Sequence, residues 1–112
     1  MITTHVLDIA SGRPAAGLAV VLERRGDRGV WTAAGRGETD ADGRLRTLLP
    51  EGDRLAAGQY RLIFDTQRYF DARSLVTLYP EVVLVFRALP GQSHCHVPLL
   101  LGPFGYTTYL GS

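Results

Sequence analysis

The chain has 112 residues, enough for one domain spanning 1–112 around a single hydrophobic core. Hydrophobic residues make up 46% and charged residues 21%, and the formal net charge is +1, so neither nucleic acid nor an anionic membrane is expected as a partner. The 12 cationic side chains are all arginine, scattered along the chain. No apolar run approaches the roughly 20 residues needed to span a bilayer. Met1-Ile2-Thr3-Thr4-His5 shows no basic region followed by an apolar one, so no secretory leader is expected. A single cysteine excludes an intrachain disulfide and fits a reducing compartment, which makes a cytoplasmic location the expectation.

In chain order, Thr3 to Ile9 reads as a first strand, ended by Ala10-Ser11-Gly12-Arg13-Pro14. Alternation places Thr3, His5 and Leu7 on one face and Thr4, Val6 and Asp8 on the other. Leu18 to Arg24 is a second strand, closed by Gly26-Asp27-Arg28-Gly29, and Val30 to Ala34 a shorter third. Glu38 to Arg44 is turn chemistry, with Asp42-Gly43 at its tip. Gln59 to Phe64 is a further strand. Asp65-Thr66 can cap a short helix over Gln67 to Arg73, the one good helix candidate. Glu81 to Leu89 is strongly β-prone. The last nineteen residues read as a hairpin: an apolar run after His94-Cys95-His96, a Gly102-Pro103-Phe104-Gly105 turn, and an alternating Tyr/Thr segment. Seven or eight short strands with one helix predict an all-β fold, an antiparallel two-sheet sandwich.

The chemistry-bearing residues are few. His94 and His96 share a strand face with Pro98 and Leu100, while Cys95, Val97 and Leu99 face the other way. Two imidazoles on one strand face read as a site, either an acid–base pair or a metal pair. No carboxylate or thiolate at zinc spacing joins them, so no metal is expected. Cys95 points away from both neighbours and reads as a small buried hydrophobe rather than a nucleophile. Taken singly, His5 reads as a half-exposed strand residue, Arg44 as a solvated loop residue, and Tyr106 and Tyr109 as packing aromatics.

Together these residues form an ordered set of blocks. They are Thr4-His5-Val6-Leu7-Asp8 with Gly12-Arg13-Pro14-Ala15, Thr39-Asp40-Ala41-Asp42-Gly43-Arg44, Tyr69-Phe70 and Tyr79-Pro80-Glu81-Val82. His94 to Leu101 follows, then Gly105-Tyr106-Thr107-Thr108-Tyr109 and Gly111-Ser112. In these blocks, nearly end to end, the chain resembles the transthyretin-like family, and within it the 5-hydroxyisourate hydrolases rather than the hormone carriers. The resemblance implies a sandwich of two four-stranded sheets. It also implies a homotetramer, a dimer of dimers, with active sites in a channel at the dimer–dimer interface.

The same resemblance implies that His5, Arg44 and His96 mark the hydrolase. Tyr109 would close the channel floor against the purine-derived ring. Thr107 and Ser112 are read as further substrate contacts, and His94, further along the strand face, is expected at the mouth. Two positions depart from the family pattern. Leu110 stands where the terminal Tyr-Arg-Gly-Ser has arginine, and Cys95 where tyrosine is common. The first bears on efficiency or substrate identity; the second lies on the face away from the site.

The family reaction opens a cyclic amide in an oxidised product of urate. That chemistry needs a base for water and a donor for the oxyanion. His96 and His5 are accordingly expected to activate water and move protons, and Arg44 to hold the oxyanion and the substrate. No cofactor is called for. The competing reading is a carrier whose channel holds a small aromatic ligand without chemistry. A metal-binding protein using His5, His94 and His96 is a third.

Overall fold

The computed structural model describes residues 1–50, 52 and 54–112. Among the described residues nine strands and one helix occur: β1 (Ile2–Asp8), β2 (Arg13–Pro14), β3 (Ala19–Arg25), β4 (Trp31–Glu38), β5 (Arg44–Leu45), β6 (Gly58–Phe64), α1 (Thr66–Asp71), β7 (Val82–Ala88), β8 (Cys95–Gly102) and β9 (Gly105–Thr108). They form two stacked sheets, the expected sandwich. One sheet runs β4-β3-β6-β7, antiparallel throughout. The other runs β2-β1-β8-β9, with β5 also paired to β1. The second sheet therefore has five strands rather than four, because the two-residue strands β2 and β5 pair with different stretches of β1. Its centre also departs from an all-antiparallel pattern: β1 and β8 run parallel, in register from Ile2↔Cys95 to Asp8↔Leu101.

The period-two pattern decides what is buried. Ile2, Thr4 and Val6 of β1 and Cys95, Val97, Leu99 and Leu101 of β8 point inward. They meet Val20 and Leu22 of β3, Leu62 and Phe64 of β6, and Val82 and Leu84 of β7. Burying each large side chain contributes about 1.5–3 kcal/mol, which makes this layer the main support of the fold. The polar groups trapped in it are satisfied: Thr4 donates to Val97 O at 2.6 Å, and Thr39 to Ala15 O at 2.6 Å. Asp8 accepts from the backbone of Ala10 and Ser11 and, at 2.8 Å, from the Tyr69 hydroxyl. Burial and the Asp8 carboxylate push the Tyr69 phenol up to about 12, so this bond fastens α1 to the end of β1 as a neutral donor to an anion.

Three local expectations need correction. The strand beginning near Val30 does not stop at Ala34; β4 continues through Gly35 and Gly37 to Glu38. A side chain at Gly35 would collide with the Leu48 carbonyl, so the glycine admits a close backbone approach rather than ending the strand. Arg44 is not a loop residue. Asp40 Oδ1 accepts from the backbone of Asp42 and Arg44, both at 2.9 Å, and closes the turn so that Arg44 enters β5 opposite His5. The helix begins one residue earlier than expected and ends two residues earlier, with Asp65 as its N-cap accepting from Arg68 N at 3.2 Å.

Candidate active site

The outer face of the five-stranded sheet carries the polar residues that β1, β5 and β8 turn away from the core. Across the parallel ladder Thr3 sits beside His96 and His5 beside Pro98, and across the antiparallel one His5 sits beside Arg44. Paired residues project to the same side, so His5, Arg44 and His96 come together on one face.

Each imidazole is tethered. His5 Nε2 lies 2.9 Å from the backbone carbonyl of Asp42. A carbonyl can only accept, so this nitrogen carries a proton. His96 Nδ1 lies 2.7 Å from Thr3 Oγ1. The His94 ring stacks on His96, with centroids 6.3 Å apart and planes 12° from parallel.

A cavity of about 170 Å³ opens here, lined by Thr3, Arg44, Arg46, His94, His96 and Ser112 among others. Among the described residues no carboxylate side chain lines it. Burial, and then the charges of Arg44, His94, His5 and Arg46, hold the His96 imidazole below its ordinary 6.5. The lowering favours the neutral form at physiological pH. Arg44 is half-buried and lines the same space. The chain end closes over the site: Gly111 N donates to His96 O at 2.9 Å, and an added Cβ there would meet His96 Cδ2 at 2.5 Å and Pro98 Cγ at 2.9 Å. Only glycine lets the backbone lie this close to the imidazole. Among the described residues, no three His, Cys, Asp or Glu side chains converge as metal ligands.

A neutral imidazole beside a guanidinium, in a cationic cavity, can take a proton from water and steady a nascent oxyanion. The model of the HIUase/Transthyretin family matches residues 2–111. The chain belongs to that family. It is 46% identical over 112 residues to a 5-hydroxyisourate hydrolase of Salmonella dublin, covering 100% of this chain and 81% of that one. Among solved structures it superposes on Klebsiella pneumoniae 5-hydroxyisourate hydrolase with a TM-score of 0.85 at 32% identity, covering 99% and 98% of the two chains. Sea bream transthyretin in complex with thyroxine matches with a TM-score of 0.91 at 33% identity, covering 98% and 93%. The HIUase/Transthyretin backbone thus occurs in both a 5-hydroxyisourate hydrolase and a thyroxine-bound transthyretin, and the side chains must decide between such uses.

Of the residues expected at the site, Arg44, His94, His96 and Ser112 line the cavity, and His5 lies beside it on the same face. Thr107 pairs with Leu100 on β9, further along that face and outside the cavity. Tyr109 and Leu110, 56% and 75% exposed, line a different, apolar cavity of about 340 Å³ with Leu84, Phe86, Cys95 and Val97. Cys95 is 3% exposed in the core and burial pushes its thiol up, as suits a packed hydrophobe. Thr3 and Arg46 were missed as site residues. Alternation carries a signal for both, since Thr3 shares a face with His5 and Arg46 lies two residues after Arg44.

Proposed function

We propose that this chain is a 5-hydroxyisourate hydrolase, a cyclic amide hydrolase that opens a ring of a urate oxidation product without a cofactor. The observation that carries the reading is the grouping of His5, Arg44 and His96 on one sheet face, beside a cavity lined by Arg44, Arg46, His94 and His96. The 5-hydroxyisourate hydrolases it resembles in sequence and structure support the substrate.

In the first step an imidazole takes a proton from water as the water oxygen bonds to the ring carbonyl carbon. The carbonyl electron pair moves onto oxygen, and Arg44 faces the oxyanion with charged donors that persist at any working pH. Collapse re-forms the carbonyl, breaks the carbon–nitrogen bond and returns the proton to the departing ring nitrogen. His96 and His5 share the proton traffic, and His94, Thr107, Tyr109 and Ser112 contact the substrate. Tyr109 does so from a neighbouring protomer or after the channel is assembled. The active form is a cytoplasmic homotetramer, a dimer of dimers, with the outer face of the five-stranded sheet turned toward the dimer–dimer interface. The 37% exposure of Leu7 on that face, beside half-buried Leu100, supports an apolar rim for such a contact.

A carrier is the second reading, favoured by the apolar cavity under Tyr109 and Leu110 and by the likeness to a thyroxine-bound transthyretin. The deciding experiment generates 5-hydroxyisourate in place by oxidising urate and follows its ultraviolet decay. Decay accelerated by the protein and lost in His96→Ala supports the hydrolase. Spontaneous decay alone, from folded protein, supports the carrier.

A further inference from the structure

The hydrolase reading leaves open which nitrogen of which histidine takes the proton, and the tether on His96 bears on that question. We propose that Thr3 is a positioning residue: its Oγ1 accepts the Nδ1–H of His96, so that Nε2 is bare, faces the cavity and serves as the base. The inference rests on the hydrolase reading for its chemistry and on the Thr3–His96 geometry for its atoms.

Thr3 is 5% exposed, and its Oγ1 lies 2.7 Å from His96 Nδ1. The two residues are direct partners in the parallel β1–β8 ladder, and both project outward from the sheet. The neighbouring hydroxyl on β1 cannot substitute for it, because Thr4 points inward and is committed to Val97 O. A β-branched residue has a restricted χ1, so this hydroxyl is held at a fixed place rather than swinging as serine could.

The other ring nitrogen, Nε2, has no hydrogen-bond partner among the described residues, and no buried polar side-chain atom among them is left unpartnered. Nε2 is therefore open to the cavity. Around it stand Arg44 on β5 and Arg46 just after it, His5 on β1, and His94 just before β8, and among the described residues no carboxylate side chain lines the same space. An N–H aimed into this cationic space would turn the positive end of its dipole toward the guanidiniums. A lone pair aimed there is favoured, which places the proton at Nδ1 and makes the Thr3 oxygen the acceptor. The Thr3 hydroxyl hydrogen then turns toward the cavity, which Thr3 itself lines. His5 is tethered in the opposite sense, with its Nε2–H spent on Asp42 O.

The test pairs NMR of isotope-labelled histidine with pH–rate profiles for wild type, Thr3→Val and Thr3→Ser. In the wild-type protein at neutral pH, without substrate, His96 is expected to show a protonated Nδ1 and a bare Nε2. The reverse tautomer overturns the proposal whether or not the protein is active. Thr3→Val, nearly isosteric, is expected to lower kcat/KM on the order of 10-fold through loss of one oriented hydrogen bond, and Thr3→Ser to restore most of it. Because the Thr3 oxygen also steadies the imidazolium, the acid limb should move to lower pH in Thr3→Val. A limb that moves upward means that Thr3 donates to a bare Nδ1, and an unchanged rate and limb mean that Thr3 only packs; either result overturns the proposal. Wild-type inactivity with the expected tautomer would instead count against the hydrolase reading.

Discussion

Gly111 gives the sharpest test of how closely the chain end and the site are fitted. In Gly111→Ala the new Cβ would stand 2.5 Å from His96 Cδ2, 2.9 Å from Pro98 Cγ and 3.2 Å from Pro98 Cδ. Relaxed carbon contacts lie at about 3.5–4.0 Å, so something must move by about 1 Å. The Pro98 ring is rigid and buried in the middle of β8. Two outlets remain: the chain end lifts off and loses the Gly111–His96 backbone bond, or the His96 ring turns and loses Thr3. Either loss is about 0.5–1.5 kcal/mol of local stability, small against a whole domain. The catalytic cost is larger, since a misplacement of about 1 Å at a reacting group can lower the rate on the order of 100-fold. The assay is ultraviolet decay of 5-hydroxyisourate beside a thermal melt. A variant that melts within a few degrees of wild type and loses most of its kcat/KM is expected. A folded Gly111→Ala with full activity would refute the account of this contact.

Tyr69→Phe strands the Asp8 carboxylate oxygen that the phenol serves, and should cost about 1–3 kcal/mol in denaturant unfolding with little change in kcat. Because the Tyr69 phenol is pushed from 10.0 up to about 12, the native state holds that proton longer than the unfolded chain. Wild-type stability should therefore fall between those pH values more steeply than that of Tyr69→Phe, and parallel curves would contradict the shift. The His96 imidazole is held below 6.5 and is proposed as the base in its neutral form, so kcat/KM is expected to stay level as pH falls to 6.5 and to decline only below it. An acid limb centred above 6.5 would show that another group, or a protonated His96, governs the rate. Cys95→Ala should keep full turnover while melting somewhat earlier, and Cys95 should resist alkylation until the protein unfolds.

What alternation could reveal, it revealed. Thr3 and His5 separate from Thr4, Val6 and Asp8, and His96 from Cys95 and Val97, because one face of each strand is buried and a shift of one residue would reverse both. The Asp65 cap was equally legible, since it depends on one side chain and its own helix. Features that depend on distant backbone were not. Gly35 looks like a strand breaker until the Leu48 carbonyl is known to press against it. Two-residue strands such as β2 and β5 have no periodicity to read, so Arg44 looked like a loop residue until its partner His5 was in place. The parallel pairing of β1 with β8 is a long-range choice that local pattern does not encode. Tyr109 and His96 lie close in sequence, yet in one protomer they line different cavities.

In the hydrolase reading, the joint action of Arg44 and His96 on one substrate is decisive. It is tested most directly by the rate of 5-hydroxyisourate ring opening in wild type, Arg44→Ala, His96→Ala and the double variant, each shown to be folded by circular dichroism. Each single variant is expected to lose on the order of 100-fold or more in kcat/KM, and the double variant to lose little beyond the worse single, as members of one catalytic unit do. Full turnover in folded Arg44→Ala or His96→Ala would contradict it.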